Sequence, residues 1–222
     1  MSAGKWTAAC ACTLLSMAAQ PAGAASPARG VDFDQAFDIH SQPKQGHFVA
    51  SYVAQGQAHR LEVWRDGDVH LKRRTDDRVE IVVARPADDT EWNMTVLDLE
   101  RRIRTEVART SLIRIGHFAD WFGLAHGVAH PVGAYALAPI AAPARVPVPV
   151  AACRWYRLTQ GERSSKICWS KAHGLALALT DGEDRVQWQV TSVDAKPLPA
   201  DTFVIDDRGF VRNDANEDIK AD

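Results

Sequence analysis

Three groups of residues in this 222-residue chain have side chains and spacings suited to chemistry: Cys153 with Cys168, the histidines His117, His126 and His130, and the triplet Asp214, Asn216 and Asp218. The two cysteines sit in "CRWYRLTQGERSSKICWS" (153–170). A hairpin turning at Gln160 and Gly161 sets Cys153 directly opposite Cys168, where antiparallel partners approach to about 4.5–5.5 Å between Cα atoms, within the range of a disulfide. There is no C-x-x-C pair to support redox or zinc chemistry, so the cysteines read as a structural bridge. His126 and His130 have the i, i+4 spacing of a zinc-binding helix, but Gly127 stands where a metalloprotease motif holds its glutamate, and Pro131 follows. His117 and His126 are nine residues apart and fall on opposite sides of any shared helix. The three read as loop and helix-end histidines, with no metal or other cofactor assigned. Asp214, Asn216 and Asp218 open like a calcium loop, but Ile219 replaces the turn glycine and the chain stops before the bidentate glutamate. Nucleophile elbows and phosphate-binding glycine loops are absent, so no catalytic residue is assigned and a binding or interaction role is expected over an enzyme.

The compartment decides what a cysteine can be. Residues 1–24, "MSAGKWTAACACTLLSMAAQPAGA", combine a basic start at Lys5, an apolar run and a small-residue end at Ala22, Gly23 and Ala24. This is the pattern of a cleaved secretory signal, and it is too short to span a bilayer. A periplasmic or secreted mature protein, under oxidising conditions, is the expectation. The balance of 26 basic and 28 acidic residues argues against a dedicated nucleic-acid binder, which would need a basic excess against phosphates.

The remaining chain reads as one domain over 25–205 with an acidic tail over 206–222. Segments 47–55, 59–65, 69–74, 78–84, 91–98 and 102–108 alternate apolar and polar residues between turn signals such as Gly56 and Asp66-Gly67-Asp68. They predict an antiparallel meander with one apolar and one charged face. "VDFDQAFDIH" and "TSLIRIGHFADWFGLAHG" predict amphipathic helices, the second capped at Thr110 or Ser111 and carrying Ile115, Phe118, Phe122 and Ala125 as a stripe. These are the natural lids for the apolar face. Five prolines between Pro131 and Val150 predict an extended crossing or sheet-edge segment. "GLALAL" and "RVQWQVTSVD" extend the sheet, with Leu175, Leu177 and Leu179 on one face and Val186, Trp188 and Val190 on one face.

Strands of D-x-V-x-x-x-R type, a helical insert, a cysteine-containing hairpin, then "GLALAL" and "VQWQVTSVD" resemble, over residues 31 to 205, the periplasmic lipoprotein-carrier superfamily of LolA, LolB and the lipid-sensing regulator RseB (MucB). The resemblance implies an α+β, mainly β fold: a curved antiparallel half-barrel covered by short helices on its concave face, with a hydrophobic cavity inside. The chain departs from that pattern in lacking LolB's lipid-anchored cysteine and in its proline-rich segment.

An apolar cavity in water takes a lipid or acyl chain. The residues expected to line it are Phe33, Phe37, Leu71, Ile81, Trp92, Met94, Phe118, Phe122, Trp169 and Trp188. The expected function is hydrophobic-ligand binding or carriage in the bacterial cell envelope, with a lipid or a lipoprotein acyl chain as partner. The alternative is a periplasmic regulatory or scaffold protein that engages another envelope protein and carries no cargo.

Overall fold

Alternation of apolar and polar side chains takes the chain through six antiparallel strands, β1 (Gln45–Ala54), β2 (Gln57–Asp66), β3 (His70–Thr75), β4 (Val79–Ala84), β5 (Asn93–Asp98) and β6 (Ile103–Ala108). Helix α1 (Phe33–Ala36) precedes them, and α2 (Arg109–Arg114) and α3 (Trp121–His126) follow. The chain then forms β7 (Ala136–Ile140), β8 (Arg154–Gln160), β9 (Arg163–Ser170), β10 (Leu175–Asp181), β11 (Val186–Asp194), β12 (Val211–Asp214) and α4 (Ala215–Lys220). This computed structural model describes residues 30–39, 44–86, 91–116, 120–147 and 150–220. The expected signal segment (1–24), His117 and Phe118 lie outside the described residues. Among the described residues no helix is long and apolar enough to cross a membrane.

The fold is α+β and mainly β, an open, curved sheet in the order β12-β6-β5-β4-β3-β2-β1-β11-β10-β9-β8-β7. All neighbours are antiparallel except β12, which runs parallel to β6. Register shifts at Val49/Ala50 between β1 and β11, and in β10 at Ala176/Ala178 and Leu179/Thr180, mark where the sheet bends, as bulges do.

Two clusters form the core. In the first, Phe48, Leu61, Val63, Leu71, Val83 and Met94 on the apolar face of the meander meet Leu112 of α2 and Leu124 and Ala125 of α3. Full burial of such side chains contributes about 1.5–3 kcal/mol each. In the second, Phe33 and Phe37 of the α1 turn pack with Tyr156, Ile167 and Trp169. The side chains of β9 divide between them as alternation requires: Cys168 joins the first, Ile167 and Trp169 the second.

The structure corrects several expected details. Cys153 and Cys168 are bridged, with Cα atoms 5.4 Å apart, but the hairpin turns at Gly161 and Glu162, so Trp155 stands opposite Cys168 and Cys153 lies just before β8. Gly161 takes the positive φ of 55° that this two-residue turn requires. The helical stretch after the meander is two helices. Ala108, rather than Thr110 or Ser111, is the N-cap of α2, and Gly116 at φ 71° follows its end, leaving Ile115 exposed and outside any stripe. Helix α1 is a single turn, held by Asp32 Oδ1 accepting from the backbone N–H groups of Asp34 (3.0 Å) and Gln35 (3.1 Å). The bulge in β10 takes Leu179 out of line with Leu175 and Leu177, and it is only partly buried at the edge of both clusters. The proline-rich stretch supplies the edge strand β7, with Pro139 within it.

Over its described length the acidic C-terminal segment forms β12, whose residues are exposed, and α4. A strap over 195–210 crosses the charged face of the meander. Leu198 N–H donates to Gln45 Oε1 (3.2 Å), Phe203 stacks on His70 (ring centroids 5.2 Å apart), and Arg104 pairs with Asp207 (2.5 Å). The chain then enters β12 beside β6. Asp214 accepts from the backbone N–H of Asn216, and Asn216 Oδ1 accepts from Ala108 N–H (2.7 Å) and the Ser111 hydroxyl (2.8 Å). Asp214 thus caps the start of α4, and Asn216 ties that helix to the start of α2. Among the described residues no group of three or more His, Cys, Asp or Glu side chains is arranged to hold a metal ion.

A buried polar link spans the first cluster. Arg65, 5% exposed on the apolar face of β2, donates through NH1 to Gly174 O (3.3 Å) and through NH2 to His173 O, both in the turn between β9 and β10. Its NH1 also lies 2.6 Å from His126 Nδ1 at the end of α3. Burial draws Arg65 down to about 10, which leaves it charged at neutral pH. Burial, reinforced by the Arg65 charge, draws His126 down to about 3, so the imidazole is neutral at neutral pH, with Nδ1 wedged between Arg65 NH1 and Gly174 O (2.7 Å).

Two predictions follow from these contacts. Replacing both bridged cysteines with serine should lower unfolding free energy by roughly 3 kcal/mol, the loop-closure value for about 15 residues, read by guanidinium denaturation under non-reducing conditions. For His126, the unfolded chain takes a proton below its ordinary value near 6.5 while the folded chain does not until about 3. Its contribution is therefore complete above pH 6.5 and is lost as pH falls toward 3, by about 1.4 kcal/mol per pH unit. His126→Gln should be less stable than the parent at pH 7 and should show a correspondingly shallower loss between pH 6 and 4 in urea titrations. Parallel curves for the two proteins would refute a buried neutral imidazole.

Candidate functional site

The loop after α3 is organised around Asp120. As N-cap of α3, its carboxylate accepts from the backbone N–H groups of Phe122 (3.1 Å) and Gly123 (3.2 Å). It also accepts from the backbone N–H of His130 (2.8 Å) and from the His130 ring at Nδ1 (3.1 Å). The chain can double back this way because Gly127 ends α3 in the left-handed conformation at φ 80°, and a Cβ there would lie 2.9 Å from the Trp188 ring. His130 Nε2 lies 3.2 Å from Asp34 Oδ1, which ties this loop to α1.

At the same end of the meander, the start of β3, the end of β4, the start of β5 and the end of β6 bring Asp68, Arg85, Trp92 and Arg109 together. Across from them stand Asp120, Trp121, Phe122 and His130. Between the two sets is an open cleft of about 320 Å³. Its inner wall is aromatic: Trp92 and Trp121 meet edge to face with ring centroids 6.2 Å apart, both almost wholly buried. Phe122 continues the wall toward α1, with its ring 4.9 Å from that of His130 and 5.8 Å from that of Phe33.

Two guanidinium groups border the same space. Arg85 lies 4.7 Å from the Trp121 ring centroid, a cation–π distance, and its Nε donates to Asp68 O (2.8 Å). Arg109 pairs with Glu91 at 3.1 Å. The Trp121 indole N–H is buried and has no acceptor among the described residues. An aromatic wall bordered by guanidinium groups can hold the junction between the polar and apolar parts of a ligand.

The ten residues expected to line a cavity do not surround one space. Leu71, Trp92, Met94 and Trp188 are buried in the first cluster, with Ile81 packed at its margin. Phe33, Phe37 and Trp169 are buried in the second, with Phe122 at its margin, and Phe118 is outside the described residues. Of these, Trp92 and Phe122 border the cleft. Arg85, Arg109 and Asp120 escaped the sequence reading as site residues. Arg85 and Arg109 each directly follow a strand, and the sequence signal for the loop was an Asp before "WFG", a helix cap hidden inside what read as one continuous helix. His126 and His130, weighed as zinc ligands, are separated by the turn at Gly127: one is buried against Arg65, the other faces the cleft.

No protein-family model and no curated protein matches the chain. Among solved structures, the crystal structure of MucB overlaps 78% of this chain at 12% identity and a TM-score of 0.41. The structure of PNGF-II in the C2 space group overlaps 79% at 8% identity and a TM-score of 0.40. The chain spans 61% of the length of the first and 32% of the second. Likeness at that level says nothing about activity, and the residues of the cleft carry the functional reading.

Proposed function

We propose that this chain is an exported, disulfide-bridged protein of the bacterial cell envelope that binds an amphiphile, a lipid or an acyl chain, at the cleft where α3 meets the end of the meander. The observation that carries the reading is the cleft itself, in which Trp92, Trp121 and Phe122 face an open volume of about 320 Å³ bordered by Arg85 and Arg109. Such a volume suits the polar end and first few carbons of a ligand rather than a whole lipid. The leader-like start of the sequence and the Cys153–Cys168 bridge both suit an oxidising compartment.

A regulatory or scaffold protein without cargo is the second reading. It is favoured by the edge strand β12, all of whose residues are exposed, with Val211 at 69%. An unpaired edge of this kind can accept a strand from another protein.

Native mass spectrometry of the protein isolated from cell envelopes should show a bound amphiphile. Titration of the stripped protein with dodecyl maltoside, below its micellar concentration, should change the tryptophan fluorescence in a saturable way. A bare polypeptide mass together with an unresponsive fluorescence would overturn the binding reading and favour the scaffold.

A further inference from the structure

Resting on the amphiphile reading, we infer that the ligand's head is an oxyanion, a carboxylate or a phosphate, received by the Trp121 indole N–H together with the guanidinium groups of Arg85 and Arg109. Three independent features of the cleft select this chemistry. The first is the indole. A buried N–H without an acceptor costs about 1–3 kcal/mol, and the Trp121 Nε1 is such a group among the described residues. Trp121 lines the cleft, and a ligand oxygen that displaced the cover of this N–H would become the acceptor it lacks.

The second feature is the disposition of the guanidinium groups. Arg85 is held by its cation–π contact with Trp121 and by the bond from its Nε to Asp68 O, while its NH2 remains 3.8 Å from Asp68 Oδ2, beyond hydrogen-bond length. Arg109 engages Glu91 through NH1. Guanidinium is the side chain best matched to the paired oxygens of carboxylate and phosphate.

The third is the state of the acids that share the cleft. The Asp120 carboxylate already accepts from three backbone N–H groups and the His130 ring, so its lone pairs are committed to holding the loop. Asp68 is the remaining carboxylate on the wall and faces Arg85. Donors therefore outnumber open acceptors at the mouth, which suits a ligand rich in acceptor oxygens over an ammonium head.

A series of probes sharing a dodecyl tail tests this: dodecanoate, dodecyl phosphate, dodecyl maltoside and dodecyltrimethylammonium, each titrated below its micellar concentration. One or both of the acidic probes should bind at least tenfold more tightly than the uncharged and cationic ones, and their affinity should fall as salt rises from 20 to 300 mM. Whichever acid binds more tightly separates a fatty-acid source from a phospholipid one. Arg109→Gln should remove about tenfold of that preference and Arg109→Lys should restore part of it. Trp121→Phe, which deletes the N–H and keeps an aromatic ring in the wall, should weaken the acidic probes severalfold more than it weakens dodecyl maltoside. Equal affinity for all four heads would overturn the inference while leaving the amphiphile reading intact. An acidic preference untouched by both Arg109→Gln and Trp121→Phe would also overturn it, because the head would then sit elsewhere. Failure of every probe to bind would remove the amphiphile reading itself.

Discussion

The architecture depends on one buried cation. Arg65 occupies a position on the apolar face of β2 where alternation calls for a hydrophobic residue, in the cross-strand row of Gly46, Leu71, Val83 and Met94. Its carbonyl partners belong to the turn between β9 and β10, and in the sheet β2 and β10 are separated by β1 and β11. The guanidinium group is thus a chord across four strands, and a chord of fixed length demands a bent sheet. Opening the chord would strip the terminal nitrogens NH1 and NH2 of their carbonyl partners and leave a buried charge uncompensated, so it resists opening far more than an apolar contact of the same area. Gly46 is part of the same device: a Cβ there would lie 3.3 Å from the Arg65 Nε.

Curvature then decides where everything else goes. The strands carry small register shifts beside β1 and within β10, where the bend must be accommodated. Helix α3 sits at the end of the chord, since His126 Nδ1 lies 2.6 Å from Arg65 NH1 while Leu124 and Ala125 enter the first cluster. The opposite face of the meander carries ion pairs such as Lys72 and Arg74 with Glu80, and the strap over 195–210 crosses it. Glu80 is buried between its two partners, so this pairing matters more than an exposed salt bridge would.

Much of this was legible in the residues because it depends on local periodicity. The strands of the meander, their apolar faces and the bridging of Cys153 to Cys168 all follow from alternation and turn chemistry. The errors arise where a long-range contact overrides a local pattern. The amphipathic period from Thr110 to Gly127 continues through Gly116, but the chain breaks there and restarts on the Asp120 cap. The direct opposition of the two cysteines assumed a turn at Gln160-Gly161, and a turn one residue later shifts the partner of Cys168 to Trp155. The C-terminal residues look like a polar tail, since β12 has no apolar alternation and owes its position to backbone pairing with β6. The candidate cleft was least legible of all. It is assembled from the ends of four strands and one helix cap, residues scattered from Asp68 to His130 with no spacing of their own.

Placing a cleft at this end of the sheet has a physical logic that links core and site. Trp121 opens α3 one residue before Phe122, and the two side chains go to different places: Trp121 into the first cluster, Phe122 to the margin of the second. The helix is therefore wedged between two packed regions and fixed in angle by both. Its N-cap and the indole wall of the cleft inherit that rigidity. The same wedge leaves the rim of the cleft polar. Deeper in the sheet Leu61, Val63, Leu71 and Val83 are fully buried against protein, while Arg85 and Arg109 stand at strand ends within reach of water. A ligand bound here would rest its apolar part on rings already locked by the core, and the ordering cost of forming the site would have been met by folding.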